Sequence, residues 1–262
     1  MIQVKSTRFN LLLLSSLIVL SRVLSLLFNA SFFFSTMLFF GLPALYLSLK
    51  NKDRKAIKKG FIFASLSVIP VMAIDIIGVI NESWFVPITI FPFRLFGVVP
   101  LEDIIWGFLL VYSTILFYEY FLDKGKSLFL VSKTAWTVIF FFITLLFLSV
   151  VFLYLNPQVL NIPHFYLYGG VIFILIPTLA FLIFYPKLIH KFFKVGAYFF
   201  FLGIIFELTG LRLNQWQFPS SEFIGWVNIA NYRFPVEELV FWLILFSSAM
   251  LSYYEFLYDD KK

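Results

Sequence analysis

The sequence contains no cysteine and only two histidines, His164 and His190, which excludes disulfides, thiolate metal sites and multi-histidine metal sites. Charge is scarce as well: 13% of the 262 residues are Asp, Glu, Lys or Arg, against about a quarter in ordinary soluble domains. No glycine-rich dinucleotide fingerprint, phosphate loop or Asp-rich diphosphate–magnesium motif occurs. Their lack argues against a tightly held dinucleotide, an ATPase and a prenyltransferase. No metal and no cofactor are therefore expected, with reduced flavin left open.

What the chain has in excess is grease. Hydrophobic residues make up 61% of it, 38 of them Phe, and the mean hydropathy is +0.96. Crossing a bilayer takes about 20 apolar residues. Eight segments qualify, at roughly 9–29, 31–49, 60–82, 100–122, 134–155, 165–185, 193–212 and 236–258. Met1 to Lys5 leads into the first without a small-residue cleavage site, so that run is expected to be a retained span. Arg22 lies within it and needs a partner.

The net charge of +6 sits in clusters between spans, which suits topology signals better than nucleic-acid contacts. Lys50, Lys52, Arg54, Lys55, Lys58 and Lys59 lie between spans two and three, Lys124, Lys126 and Lys133 between four and five, and Lys187, Lys191 and Lys194 between six and seven. These loops alternate with poorly charged ones. The bias predicts a multi-pass protein of the cell membrane with both termini cytoplasmic, and solvated basic loops that include His190.

One pattern is written twice. Arg94 precedes Pro100, Glu102, Asp103 and Trp106, and an apolar run follows to Tyr118-Glu119. Arg233 precedes Pro235, Glu237, Glu238 and Trp242, and the run there ends at Tyr254-Glu255-Phe256-Leu257-Tyr258-Asp259. Upstream, Asp75-Ile-Ile-Gly78 has Trp84 nine positions after the acid, and Glu207-Leu-Thr-Gly210 has Trp216 nine positions after it. Pro43 and Pro177 precede the two sets. The fold expected is an all-α integral membrane protein of about eight transmembrane helices in two parallel four-helix repeats, 1–125 (core unit 31–122) and 126–262 (core unit 165–258).

Parallel repeats put equivalent residues at one leaflet. Asp75, Glu102, Asp103, Glu207, Glu237 and Glu238 are thereby gathered near the outer face, whereas Glu119 and Glu255 fall at the opposite ends. Proline followed by acids is also a good helix start, which accounts for one motif but not for the acid–tryptophan element on the preceding arm in both copies. In a dry site, burial and a like-charged neighbour favour the neutral acid, as a proton donor requires. Arg94 and Arg233 are candidates to pair with one carboxylate each, with interfacial snorkelling the alternative. Trp106 and Trp242 share a helix face with the acids, where a ring could stabilise a cation or simply pack. Trp84, Trp216 and Trp226 fall where an interfacial aromatic belt is expected.

The doubled Pro-x-Glu-Glu/Asp block, preceded in each half by an acid–Trp element, resembles the membrane-integral lycopene cyclase domain, which occurs as paired small subunits or as one fused chain. The resemblance spans about 31–122 and 165–258, and the preceding arm reads Ile74-Asp75 and Phe206-Glu207 where the family often has Trp-Asp. It implies an intramolecular lyase or isomerase of the lycopene β-cyclase type. Such an enzyme protonates a terminal alkene, closes a six-membered ring and releases a proton with no net redox change. It further implies a carotenoid or other polyene drawn from the membrane lipid, with Glu102, Asp103, Glu237 and Glu238 as catalytic acids and Asp75, Glu207, Arg94, Arg233, Trp106 and Trp242 supporting them. Trp84, Trp216, Pro100 and Pro235 would contact substrate. The rivals are a cyclase acting on a C50 carotenoid or other polyprenoid, a non-catalytic lipid-binding protein, and a proton-coupled transporter. Against the last, no helix is expected to be interrupted by Gly or Pro at midplane in both halves. Oligomeric state is left open.

Overall fold

A computed structural model describes residues 2–123 and 133–258. The proposed boundary between residues 125 and 126, and with it Met1, Lys124, Lys126 and Asp259, lies outside the described residues. Among the described residues, eight helices are long and apolar enough to cross a membrane. They are α1 (Ile2–Leu27), α2 (Phe32–Lys50), α3 (Arg54–Ile80), α4 (Leu101–Asp123), α5 (Lys133–Leu155), α6 (Phe165–Phe184), α7 (Pro186–Arg212) and α8 (Glu238–Tyr258). The protein is an all-α, multi-pass membrane protein.

α1, α3 and α7 begin six or seven residues earlier than hydropathy suggests, and for α3 the cause is local. The Asp53 side chain accepts hydrogen bonds from Lys55 N (2.9 Å) and Ala56 N (3.3 Å), which caps α3 inside the basic cluster. Lys59, expected in a loop, is thus helical and buried, 3.8 Å from Glu119. Lys191, expected in solvent, sits on α7 and reaches Asp123 at 2.9 Å.

The helices are also less regular than expected. Met37–Gly41 and Val171–Leu175 wind as π turns, with Leu42 N–H donating to Met37 O and Ile176 N–H to Val171 O. Each lies just before a proline, Pro43 or Pro177, which lacks the N–H of a regular turn and crowds the preceding carbonyls. The two perturbations fall in corresponding places of the two halves, and both spans stay continuous through them, as expected. The helices widen there without breaking.

α4 and α8 are the most buried helices and pack on one another, while α5 is the least buried. α1 packs on α7, and α5 packs on α3, so each outer helix leans on the opposite half of the chain. Arg22 finds its partner there, donating to Thr209 Oγ1 at 3.4 Å. Two antiparallel hairpins stand directly before the central helices. β1 (Arg94–Leu95) pairs with β2 (Val99–Pro100) before α4, and β3 (Trp226–Ile229) pairs with β4 (Tyr232–Pro235) before α8. A bridge between Phe85 and Gln217, with N···O distances of 2.9 and 2.8 Å, ties together the loops that lead into the two hairpins.

Candidate active site

The acid–tryptophan spacing has a direct structural meaning. Trp84 Nε1 donates to Asp75 Oδ1 and Trp216 Nε1 donates to Glu207 Oε1, both at 3.1 Å. Nine residues carry the chain off the helix end and back, so the indole folds over the last turn. The glycine three positions after each acid makes room for it. A Cβ at Gly78 would lie 2.3 Å from the Trp84 ring, and one at Gly210 would lie 1.9 Å from the Trp216 ring. Trp216 is buried and Trp84 half-buried. These two tryptophans serve the protein interior rather than an interfacial belt.

The paired acids that open α4 and α8 divide their work. Glu102 Oε1 accepts from Ile90 N (2.6 Å) and Phe91 N (3.1 Å), and Glu237 Oε1 accepts from Ile224 N (2.7 Å). Each fastens the loop ahead of its helix. Their neighbours one residue on, Asp103 and Glu238, turn the other way and line a shared cavity of about 100 Å³. Glu207 joins them there, and the walls include Trp84, Trp106, Trp216 and Trp242. Trp106 and Trp242, one from each half, meet at 5.9 Å between ring centroids. Asp75 does not line this cavity, but it is close enough to Asp103 for their charges to interact. Four of the six gathered carboxyls thus belong to the cavity or its immediate border, while Glu102 and Glu237 serve the loops.

Other expected roles are corrected. Arg94 donates to Val86 O (2.6 Å) and Val98 O (3.2 Å) and stacks on Phe85. Arg233 is exposed and stacks on Trp226 at 4.2 Å. Among the described residues neither forms an ion pair with an acid, although Arg94 is near enough to Asp103 for charge to be felt. Pro100 and Pro235 are buried in the hairpins, line neither cavity described here and stand just before the first turns of α4 and α8. Tyr166 was not singled out in the sequence, where it is one of 13 tyrosines. Its hydroxyl donates to Glu238 Oε2. The available signal was its position, 11 residues before Pro177, matching Phe32 before Pro43.

A second cavity, about 110 Å³ and almost wholly apolar, adjoins the first. Trp84, Tyr166, Trp242 and Phe246 border both. Pro70, Phe142 and Phe173 line the second cavity alone. The pair makes an oily slot with carboxyls at one end, an arrangement that can protonate a bound apolar chain at one terminus.

Residues 29–121 match the family model described as lycopene cyclase. That stretch, about a third of the chain, is similar to the lycopene cyclase family. It begins at the turn before α2 and ends within α4, and so contains Asp75, Trp84, Arg94, Glu102, Asp103 and Trp106. At the level of family, the match supports a carotenoid cyclase. None of the curated proteins and none of the solved structures matches the chain.

Proposed function

We propose that the protein is a carotenoid cyclase of the lycopene β-cyclase type, an intramolecular lyase or isomerase that closes the linear ends of a polyene into six-membered rings. One observation carries this reading. Asp103, Glu207 and Glu238, drawn from both halves, face one indole-walled cavity in a chain whose first half matches a cyclase family.

The chemistry follows from these groups. An unpaired carboxyl in a dry site is least costly as the neutral acid, the state a donor needs. Proton transfer to the terminal alkene gives a tertiary cation, and indole faces are suited to stabilise it. Capture by the second alkene closes the ring, and a carboxylate takes the departing proton. Oxidation state is unchanged, so the cycle needs no electron donor. Reduced flavin should make no difference to turnover. The substrate reaches the slot from the lipid phase, and its conjugated chain occupies the apolar cavity while one end sits among the acids. The Lys and Arg bias supports both termini on the cytoplasmic side of the cell membrane, with the acid cavity toward the outer leaflet.

The test is expression in cells that accumulate lycopene, followed by chromatography of the pigments. Mono- and bicyclic carotenes are expected from the unaltered chain and none from Asp103→Asn. If lycopene persists, the same assay with C50 carotenoids decides between another polyene and no cyclase at all. Failure with both, together with proton uptake coupled to a solute in vesicles, would assign the acids to transport.

A further inference from the structure

The two halves are alike in their acids but not in what holds them. Phe32 and Tyr166 stand at matching positions, each 11 residues before the proline that follows a π turn. Each packs on the tryptophan of the opposite half, Phe32 on Trp216 at 5.6 Å and Tyr166 on Trp84 at 5.2 Å. Both line the acid cavity. The difference is a single oxygen. The buried Tyr166 hydroxyl donates to Glu238 Oε2, whereas Phe32 has nothing to offer Asp103. Asp103 Oδ2 is buried without a hydrogen-bond partner among the described residues.

We propose that the two halves form one composite site with divided proton work, in which Asp103 is the donor and Glu238, held by Tyr166, is the acceptor. Tyr166 is then a positioning residue: it acts through Glu238 and fixes which hydrogen leaves the cyclic cation. This rests on the cyclase reading above. In the step, the Asp103 O–H bond breaks as a C–H bond forms at the terminal alkene. The second alkene's electron pair becomes the new ring C–C bond. A C–H bond beside the resulting cation then breaks, its electrons become the ring double bond, and Glu238 takes the proton. One proton enters and one leaves. Passage of that proton back from Glu238 to Asp103 across the cavity they share restores the starting state; once product has left, a space of about 100 Å³ has room for a water to carry it.

The phenol's position therefore governs ring type, a property that packing alone would not change. Loss of the hydrogen on the ring carbon that bears the chain gives a β-end, and loss of one from the ring carbon on the other side of the cationic centre gives an ε-end. The experiment compares the intact chain with Tyr166→Phe, which leaves at this site the residue that Phe32 already is in the other half. Pigments are resolved by ring type. The expected result is a fall in total rings of about ten-fold, since small misplacements of a reacting group are costly, together with a mixture of β- and ε-ends in place of one type. Glu238→Asp, which retracts the acceptor from the phenol, should give the same mixture and serves if Tyr166→Phe accumulates poorly. Fewer rings of unchanged type in both variants would overturn the division of labour while leaving the cyclase reading intact. Lack of ringed products from the unaltered chain would instead remove the reading beneath it.

Discussion

At Gly78 and Gly210 a single hydrogen atom decides whether an indole can lie across a helix. Alanine at either position would collide with the tryptophan ring, and overpacking of this kind costs about 1–3 kcal/mol. Gly210→Ala is expected to lower the unfolding temperature of the detergent-solubilised protein and to release the Trp216–Glu207 bond. The adjacent acids of α4 should respond differently from one another. Glu102→Gln keeps an oxygen that can accept from Ile90 and Phe91, so ring formation should survive at a reduced level. Asp103→Asn removes the transferable proton, and conversion should fall by the full contribution of an acid catalyst, about 10²–10⁴-fold. Equal losses in the two variants, measured as product per folded protein, would contradict this division. The sequence could offer the acids as a pair. It could not say which one faces the loop, because a one-residue step around a helix end turns the side chain by about 100° and only the loop's N–H groups decide the direction.

α4 and α8 are joined far from the cavity as well. Tyr118 donates to Glu255 and Tyr254 donates to Glu119, a reciprocal exchange between the two helices in which every partner is buried. Lys59 of α3 lies beside Glu119 and over the rings of Tyr254 and Tyr258 at 5.2 and 5.0 Å. Deleting one phenol leaves a buried carboxylate short of a donor, a loss of about 1–3 kcal/mol. Tyr254→Phe should therefore reduce the thermal stability of the solubilised protein without altering the ring type of its products. The Tyr-Glu pairs were visible in the sequence as the ends of the doubled motif, and so was their distance from the outer acids. Their crossing from one half to the other was not, since nothing in a linear pattern says which helices become neighbours. The same holds for Lys59. Its charge put it in a loop, while the Asp53 cap drew it into the membrane-spanning helix.

For the molecule as a whole, the eight spans were legible because a bilayer imposes a length and a composition that few other structures share. The cavity was legible only in part: its acids were named from spacing, its second compartment and Tyr166 were not. Since the acid cavity takes walls from both ends of the chain, residues 1–125 or 126–262 expressed singly should yield no rings, and co-expression of the two should restore them. Ring formation by either piece alone would mean that the composite site is not required.

Trp84, Trp106, Trp216 and Trp242, four of the six tryptophans, surround one hollow. Ultraviolet emission from the protein is thus concentrated where a coloured ligand would lodge. A conjugated polyene in contact with those rings would drain their excitation by energy transfer, so titration of a detergent solution should dim it, and the quenching would report occupancy with no label attached.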